Sequence, residues 1–381
     1  MSLFALFLLA FAGYFAFGLE APEKKAIADY AAGVGADLLD AVKARNFEAV
    51  SLKNPTVRTA DGKPYAEEIS LERTYDNLGG AWPKAARPER NPRHRVISEN
   101  HEKGVYIYES PGYYFYADSP IAYDASMHFA TLFETTKAFM KSLPLGLLKA
   151  DAETERSKVL IFGADTAYMK SGGPPNSGGC YIPGKRYVLV PVSSLELRKT
   201  DKGFERDERK DHKVLIHELA HQLTPAAYYA HGSMGWFSEG LAEYVGTTPY
   251  KPGYFWVDPH GNSAKEYATA YGDDGRRGRV LGTDISVPPL KDFMLMSYDR
   301  FTGIEANRNY GVALLLTYYF FHMEGGGGAH RITEFLRGLK AGKYGEEALM
   351  PLHNGEGFAQ LEADISAAWA QKGVRLTFGG R

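Results

Sequence analysis

The chain has 381 residues, a formal net charge of −2 and a hydrophobic content of 44%. These values are typical of a globular protein and exclude a disordered or collagen-like chain. Because the 44 Lys and Arg residues do not exceed the 46 Asp and Glu residues, the composition gives no indication of nucleic-acid binding. Cys180 is the only cysteine, which excludes a disulfide framework and means that any metal must be bound by His and carboxylate side chains.

The chain opens with an uncharged apolar segment. Its first charged residue is Glu20, and residues 16–18 (Ala-Phe-Gly) form the small-x-small pattern of a signal cleavage site. We therefore expect export to the periplasm or the extracellular space, with residues 1–18 removed as a signal peptide. Retention of residues 2–19 as a membrane anchor is the alternative, because about 18 apolar residues just reach the length that spans a bilayer.

The remaining chain is expected to divide into a small N-terminal region, a larger domain and a C-terminal helix and tail. Residues 22–46 have the composition of a helix, and an Asp61-Gly62 turn between short alternating runs predicts a β-hairpin. The basic, proline-bearing stretch 87–95 predicts an exposed linker. The three predicted segments are residues 19–100, residues 101–350 and residues 351–381.

Strand-like segments come first and helical segments later in the larger domain, which predicts an α+β fold. Apolar and aromatic runs predict strands over 104–120, over 158–163 and, around a Gly-Lys turn, over 180–191. Cys180 is predicted to be a small buried side chain, and residues 272–279 a loop. Apolar residues at helical spacing predict the helices, which are 121–142, 211–224, 236–246, 309–323, 330–340 and 356–370.

An H-E-x-x-H motif, formed by His217, Glu218 and His221, lies inside the helix predicted over 211–224. At about 100° per residue, residues four apart leave a helix about 40° apart, so both imidazoles lie on the same face. Two imidazole nitrogens one turn apart can bind one zinc ion, and the glutamate beside them can reach a water on that ion. The motif therefore predicts a metal site with Glu218 as its base.

A zinc site of this kind requires a third protein ligand and an open position for water. The amphipathic segment 235–244 follows a turn that contains proline and glycine, and it carries Glu239 and Glu243. A helical hairpin would lay this second helix beside the first. Since the two glutamates are four residues apart, they share one face of the helix and both are candidate ligands.

H-E-x-x-H followed by W-x-x-E-G-x-A resembles the gluzincin metallopeptidases, the group that includes thermolysin and the zinc aminopeptidases. The resemblance implies a zincin-like fold, in which a mixed sheet and an active-site helix precede a mainly helical part. It implies one zinc ion bound by His217, His221 and Glu239, and it places Glu243 where an acid orients a zinc-bound histidine. It also implies a strand beside the zinc that pairs with extended substrate, which we assign to residues 184–191.

Peptide hydrolysis also requires a donor for the oxyanion that develops at the carbonyl. Tyr310 is the first candidate, because the aminopeptidase-type gluzincins carry their transition-state tyrosine at the head of a similar Leu-rich helix. His231, in the turn between the two expected metal-bearing helices, is the second candidate. A packed tyrosine and a solvated loop histidine are the alternative interpretations. Tyr318 and His322, further along the helix of Tyr310, are expected to be packing residues.

These features predict an exported zinc metallopeptidase that cleaves a peptide or protein substrate. Glu218 would take a proton from the zinc-activated water and return it to the leaving amine. Endopeptidase and exopeptidase activity are both compatible with the sequence. The alternative from another class of protein is a non-enzymatic exported binding protein that retains a peptidase fold and its zinc.

Overall fold

The computed structural model describes most of the chain from Asn77 onwards. The expected signal or anchor segment 1–18, the helix 22–46, the hairpin near Asp61 and the candidate His231 lie outside the described residues. The described residues are 77–89, 92–102, 104–147, 156–175, 177–182, 187–195, 197–200, 203–206, 212–229, 235–257, 261–270, 278–324 and 329–379.

In the first half of the described residues strands alternate with helices, and in the second half strands are few. In chain order they are β1 (Ala85–Ala86), β2 (Arg95–Asn100), β3 (Val105–Glu109), β4 (Tyr113–Ala117), β5 (Ser157–Phe162), β6 (Cys180–Ile182), β7 (Tyr187–Pro191), β8 (Leu197–Thr200), β9 (Gly203–Arg206), β10 (Tyr250–Lys251), β11 (Tyr254–Trp256), β12 (Asp284–Val287) and β13 (Arg375–Phe378).

Six of these strands form one mixed sheet in the order β2-β3-β4-β5-β7-β6. The pairs β2–β3, β3–β4 and β6–β7 are antiparallel, whereas β4–β5 and β5–β7 are parallel. All residues of β3 and β4 are buried. Because both faces of these inner strands are covered, their sequences are continuous apolar and aromatic runs rather than alternating ones.

Residues 187–191 form an inner strand, and the expectation that residues 184–191 are the free strand beside the site is wrong. β7 is paired with β5 along its whole length and with β6 at Tyr187, Val188 and Leu189, so it lies inside the sheet. Among the described strands, β6 ends the sheet on this side, and its three residues are half-buried. The prediction failed because an inner strand and an edge strand can carry the same short apolar run.

Helices cover the sheet and make up most of the C-terminal half. None of the described helices is both long and apolar enough to cross a membrane. In chain order they are α1 (Tyr123–Ser142), α2 (Asp165–Lys170), α3 (Lys213–Leu223), α4 (Gly235–Thr247), α5 (Asn262–Thr269), α6 (Leu290–Met294), α7 (Tyr298–Phe301), α8 (Ala306–Tyr318, continued by a π-helical turn over Tyr319–Met323), α9 (His330–Lys340), α10 (Gly345–His353) and α11 (Phe358–Ala370).

Helices α1 and α3 pack on one face of the sheet and α2 on the other. Phe133 of α1 and Ile216 of α3 join Val188 of β7 in the main core. Tyr168 of α2 packs with Leu189 in a second apolar cluster on the opposite face. The sheet in the first half and the helices in the second half give an α+β fold, as the sequence predicts.

Helix α4 is the centre of the helical part and is buried along its whole length. Helix α8 crosses it so closely that a Cβ added at Gly240 would lie 2.6 Å from the carbonyl oxygen of Ala313. Helix α3 lies against it where a Cβ at Gly246 would lie 3.1 Å from the carbonyl oxygen of Lys213. Glycine at these two positions lets α4 approach both neighbours closely, which fixes the side chains that it presents to α3.

Described residues on both sides of the expected larger domain pack against the same core. β1 pairs with β11, and the Asn77 side chain donates to two carbonyl oxygens at the end of α1. At the other end, β13 pairs with β12, and the buried indole of Trp369 donates to the carbonyl oxygen of Leu315. Residues 77–89 and 351–379 are therefore part of the same packed unit as the residues between them.

Replacing Gly240 by alanine should destabilise the protein. We expect the free energy of unfolding of the metal-free protein to fall by about 1–3 kcal/mol, because the added methyl group would overlap backbone atoms of α8. Urea unfolding followed by circular dichroism measures this change.

Gly338→Ala is the matched control for this substitution. Gly338 is also a buried helical glycine, but a Cβ there would lie 3.4 Å from Cδ of the flexible Lys343 side chain. Its replacement should leave the free energy of unfolding unchanged or raise it by up to about 1 kcal/mol. Equal losses in the two variants would contradict a close crossing of α4 and α8.

Candidate metal centre

Helix α3 buries one side and turns its two H-E-x-x-H histidines towards α4. Ile216 and Leu219 are fully buried, whereas His217, Glu218 and His221 are half-buried. This division follows from the helical period, since the apolar residues lie on the face that packs on the sheet and the H-E-x-x-H residues on the other. The local sequence thus decides both the helix and the face on which its three H-E-x-x-H side chains lie.

Two imidazole nitrogens and one carboxylate oxygen meet between α3 and α4. Nε2 of His217 lies 3.1 Å from Nε2 of His221, and Oε2 of Glu239 lies 3.2 Å from each of them. The three atoms form a nearly equilateral triangle. Within the described part of the chain, His217, His221 and Glu239 form a group that could hold a metal ion.

Glu243 contacts the other ring nitrogen of His217. Its Oε1 lies 3.1 Å from Nδ1 of the imidazole. In a neutral imidazole whose Nδ1–H donates to a carboxylate, Nε2 carries no proton and can bind a metal. Arg279 fixes the acid in turn, because its Nη2 and Nε donate to Oε1 and Oε2 of Glu243 at 2.7 and 3.2 Å. A guanidinium makes this two-pronged contact and an ammonium cannot.

A strained segment carries Arg279 to this position. Val280 has a φ of 56°, a conformation that β-branched residues rarely adopt. Backbone hydrogen bonds hold the segment, because the N–H groups of Arg279 and Leu281 donate to carbonyl oxygens near the end of α5. Strain of this kind is typical of functional sites. The sequence places Arg279 at the end of the loop predicted over 272–279, and nothing in that loop indicates its role.

Two tyrosines contact the other two candidate ligands, His221 and Glu239. The Tyr229 hydroxyl donates to the carbonyl oxygen of His221 at 2.7 Å and lies 3.4 Å from its Nδ1. The Tyr298 hydroxyl donates at 2.8 Å to Oε1 of Glu239, the carboxylate oxygen outside the triangle. Burial raises the pKa of both phenols well above the usual value, so both hydroxyls keep their protons near neutral pH.

Glu218 lies beside the triangle and faces the segment that leads into the edge strand. A Cβ added at Gly179, the residue before β6, would lie 3.2 Å from Cγ of Glu218. The Glu218 carboxylate makes no hydrogen bond or ion pair with the other described residues. No contact with a described residue would have to break for it to accept a proton from a water near the triangle.

Tyr310 lies against the same site from α8. Its ring is stacked on that of His217 with 6.1 Å between the centroids, and the Arg279 guanidinium lies 4.7 Å from the Tyr310 centroid. Gly311 makes room for this arrangement, because a Cβ there would lie 2.6 Å from Cδ1 of Leu281. Burial raises the pKa of Tyr310 well above the usual value, so its hydroxyl remains a hydrogen-bond donor.

Other residues from the sequence analysis lie outside the triangle. Tyr318 is buried among aromatic rings, and Nε2 of His322 lies 2.9 Å from the hydroxyl of Tyr244, which agrees with packing roles. Cys180 is half-buried in the edge strand and contacts Tyr168. Burial raises the pKa of its thiol to about 12, so it is not a thiolate at neutral pH.

The titratable groups of the site hold each other in their charged forms. Burial opposes the charged form of His217, but hydrogen bonds to Glu239 and Glu243 outweigh it and raise its pKa to about 10. Burial likewise opposes the charged form of Glu239, yet the neighbouring histidines hold its pKa well below the usual value. The same balance, with His217 and Arg279 as partners, lowers the pKa of Glu243.

Comparison of the chain with known protein families, with curated proteins and with solved structures gave no match. The structure brings together six residues that the sequence singles out, which are His217, Glu218, His221, Glu239, Glu243 and Tyr310. Three contacting residues are not evident from the sequence, namely Tyr229, Arg279 and Tyr298.

Metal binding at the triangle should release protons. In the metal-free protein His217 is protonated at neutral pH, because its pKa is raised to about 10, and this proton must leave before Nε2 can bind a metal. The apparent affinity should therefore rise with pH between pH 6 and 8, by about tenfold per pH unit for each proton released. Calorimetric titration in buffers of different ionisation enthalpy measures both the affinity and the number of protons.

His330→Gln is the control for this titration, since the imidazole of His330 is 82% exposed and contacts none of the three candidate ligands. It should show the same proton release as the wild type. An affinity that does not change with pH would contradict the exchange of a proton for a metal at His217.

Proposed function

We propose that this protein is a zinc-dependent peptidase of the gluzincin type with a zincin-like catalytic domain. The observation that carries the proposal is the triangle of His217, His221 and Glu239, whose three ligand atoms are separated by 3.1–3.2 Å. The position of Glu218 beside this triangle supports catalysis rather than metal storage, because H-E-x-x-H sites use this residue as the base.

The donor set fits zinc. Zinc takes nitrogen and oxygen ligands at about 2.0–2.2 Å in a tetrahedral arrangement, which separates the ligand atoms by about 3.3–3.6 Å. The atoms of the triangle lie close to this spacing. Two histidines with one glutamate are a catalytic type of ligand set, since the fourth position stays open for water. No further His, Cys, Asp or Glu joins this group among the described residues.

Zinc, when bound, would lower the pKa of a water and polarise the carbonyl of the scissile bond. Glu218 would accept the proton of that water and pass it to the nitrogen of the leaving amine. Tyr310 would donate its hydroxyl proton in a hydrogen bond to the carbonyl oxygen as negative charge develops there. Glu243, held by Arg279, would keep the imidazole of His217 in the tautomer that exposes Nε2.

The edge strand β6 gives an extended peptide a place to bind. Its partner β7 covers one side, and none of the described strands pairs with its other side. An extended peptide can add to such an edge through backbone hydrogen bonds. Because Gly179, next to β6, lies against Glu218, a peptide on this edge would pass the proposed base. We therefore propose peptides or unfolded protein segments as substrates.

Replacing Glu218 by glutamine tests the proposed chemistry. The zinc-loaded wild type should cleave members of a diverse peptide library, and mass spectrometry of the new termini should detect the cleavage. Glu218→Gln should lower the rate by about 10²–10⁴, because it removes the general base. Its zinc content should equal that of the wild type, since Glu218 is not part of the ligand triangle.

Glu356→Gln is the control, because Glu356 is an exposed acid in the turn before α11. It should cleave at the wild-type rate. If the wild type binds zinc but cleaves no peptide, and Glu218→Gln does not differ from it, the site would instead belong to a non-enzymatic binding protein. Loss of zinc from Glu218→Gln would contradict its assignment as a base outside the ligand set.

A further inference from the structure

The third proposed ligand has a partner that is far away in the sequence. Glu239 contributes Oε2 to the triangle, and its Oε1 accepts the hydroxyl of Tyr298 at 2.8 Å across a separation of 59 residues. Glu239 is 2% exposed, so solvent does not compete for this oxygen. The bond therefore decides which of the two carboxylate oxygens is free to meet a metal.

We propose that Tyr298 is a positioning residue that holds Glu239 to one-oxygen coordination and so keeps one metal position open for water. This inference rests on the proposed zinc function. A carboxylate can bind a metal through one oxygen or through both. The hydrogen bond from Tyr298 occupies Oε1 and so favours coordination through Oε2 alone. One metal position then stays open, and a catalytic zinc needs this position for its water.

Removal of this hydroxyl would leave a buried carboxylate oxygen without a donor. An unpaired buried acceptor is costly, and a charged one more so. The nearest way to satisfy Oε1 is to rotate the carboxylate so that both oxygens face the metal. This rotation would raise the coordination number and occupy the water position.

The fold holds Tyr298 rigidly enough for this role. Asn309 is buried at the start of α8 and donates at 2.8 Å to the carbonyl oxygen of Phe301, the last residue of α7. Phe301 is itself fully buried and packs on the ring of Tyr310. It also lies close to Gly235, where an added Cβ would be 2.9 Å from Cγ of Phe301. Helix α7 is therefore tied both to the start of α4, which carries Glu239, and to α8.

The neighbouring tyrosines make different contacts. The hydroxyl of Tyr229 donates to the main chain of His221. Tyr310 contacts the site through its ring, which lies on His217. Among the described tyrosines, the hydrogen bond to the carboxylate of Glu239 is made by Tyr298. This difference allows the positioning role to be separated from the oxyanion role proposed for Tyr310.

Cobalt substitution of Tyr298→Phe tests the inference without relying on catalysis. Four-coordinate Co²⁺ absorbs visible light strongly, and the absorption weakens as the coordination number rises. We expect the wild type to give the strong spectrum and Tyr298→Phe to give a weaker one. We also expect the affinity for Co²⁺ and Zn²⁺ to fall about 10–100-fold, which is typical when a partner of a metal ligand is removed.

Tyr228→Phe is the matched control. The buried Tyr228 hydroxyl donates at 2.8 Å to the carbonyl oxygen of Leu145, so this variant also loses one buried hydrogen bond, but none at a proposed ligand. It should retain the wild-type spectrum and affinity. Tyr310→Phe should retain both as well, while its peptidase rate falls. Far-UV circular dichroism of the metal-free variants confirms that all of them are folded.

Three results would overturn the inference. A wild-type spectrum and affinity in Tyr298→Phe would show that the hydroxyl does not position Glu239, while leaving the proposed peptidase function intact. Equal changes in Tyr228→Phe would assign the effect to general destabilisation. A wild type that binds neither Co²⁺ nor Zn²⁺ would refute the proposed function together with the role of Tyr298.

Discussion

Two carboxylates carried into the core by one helix determine how the rest of the site is arranged. Glu239 and Glu243 are 2% and 4% exposed, and charged groups are buried this deeply only when partners compensate them. α3 supplies the imidazoles of His217 and His221, the strained segment after α5 supplies the guanidinium of Arg279, and α7 supplies a phenol. The two imidazoles share Oε2 of Glu239 while the phenol binds its Oε1, and Arg279 holds both oxygens of Glu243, so the carboxylates are held in fixed directions. In the metal-free protein, the proton on the imidazolium helps to balance the charge of the buried carboxylates. A metal ion bound in the triangle would balance that charge instead.

The part of the site that the sequence predicts is the part that lies within helical repeats. His217 and His221 are four residues apart, as are Glu239 and Glu243, so the helical period alone decides that each pair shares a face. Arg279 and Tyr298 lie 36 and 59 residues from the glutamates that they contact. Their positions depend on how α5, α7 and α8 pack, and no local pattern separates them from the other arginines or from the other members of a set of 25 tyrosines.

The fold shows the same division between local and distant information. The continuous apolar runs of β4 and β7 predict buried strands, and the periodicity of residues 309–323 predicts a helix, which the structure shows as α8 with a π-helical last turn. The neighbours of a strand are set by pairing across the sheet, and this explains why an inner strand was expected at the edge. For a glycine of α4, the sequence shows the residue but the packed structure is needed to explain it. Gly240 belongs to the W-x-x-E-G-x-A segment because α8 must pass close to it, and that reason becomes visible once the two helices are packed.

X-ray absorption at the zinc edge, on the zinc-loaded protein at one ion per chain, tests the central claim most directly. The account predicts nitrogen and oxygen neighbours at about 2.0–2.1 Å, no sulfur neighbour, and outer-shell scattering from two imidazole rings. That scattering should drop to one ring in His221→Ala. Zinc bound without imidazole scattering, or with the same two rings after His221 is removed, would contradict a metal centre built from His217, His221 and Glu239.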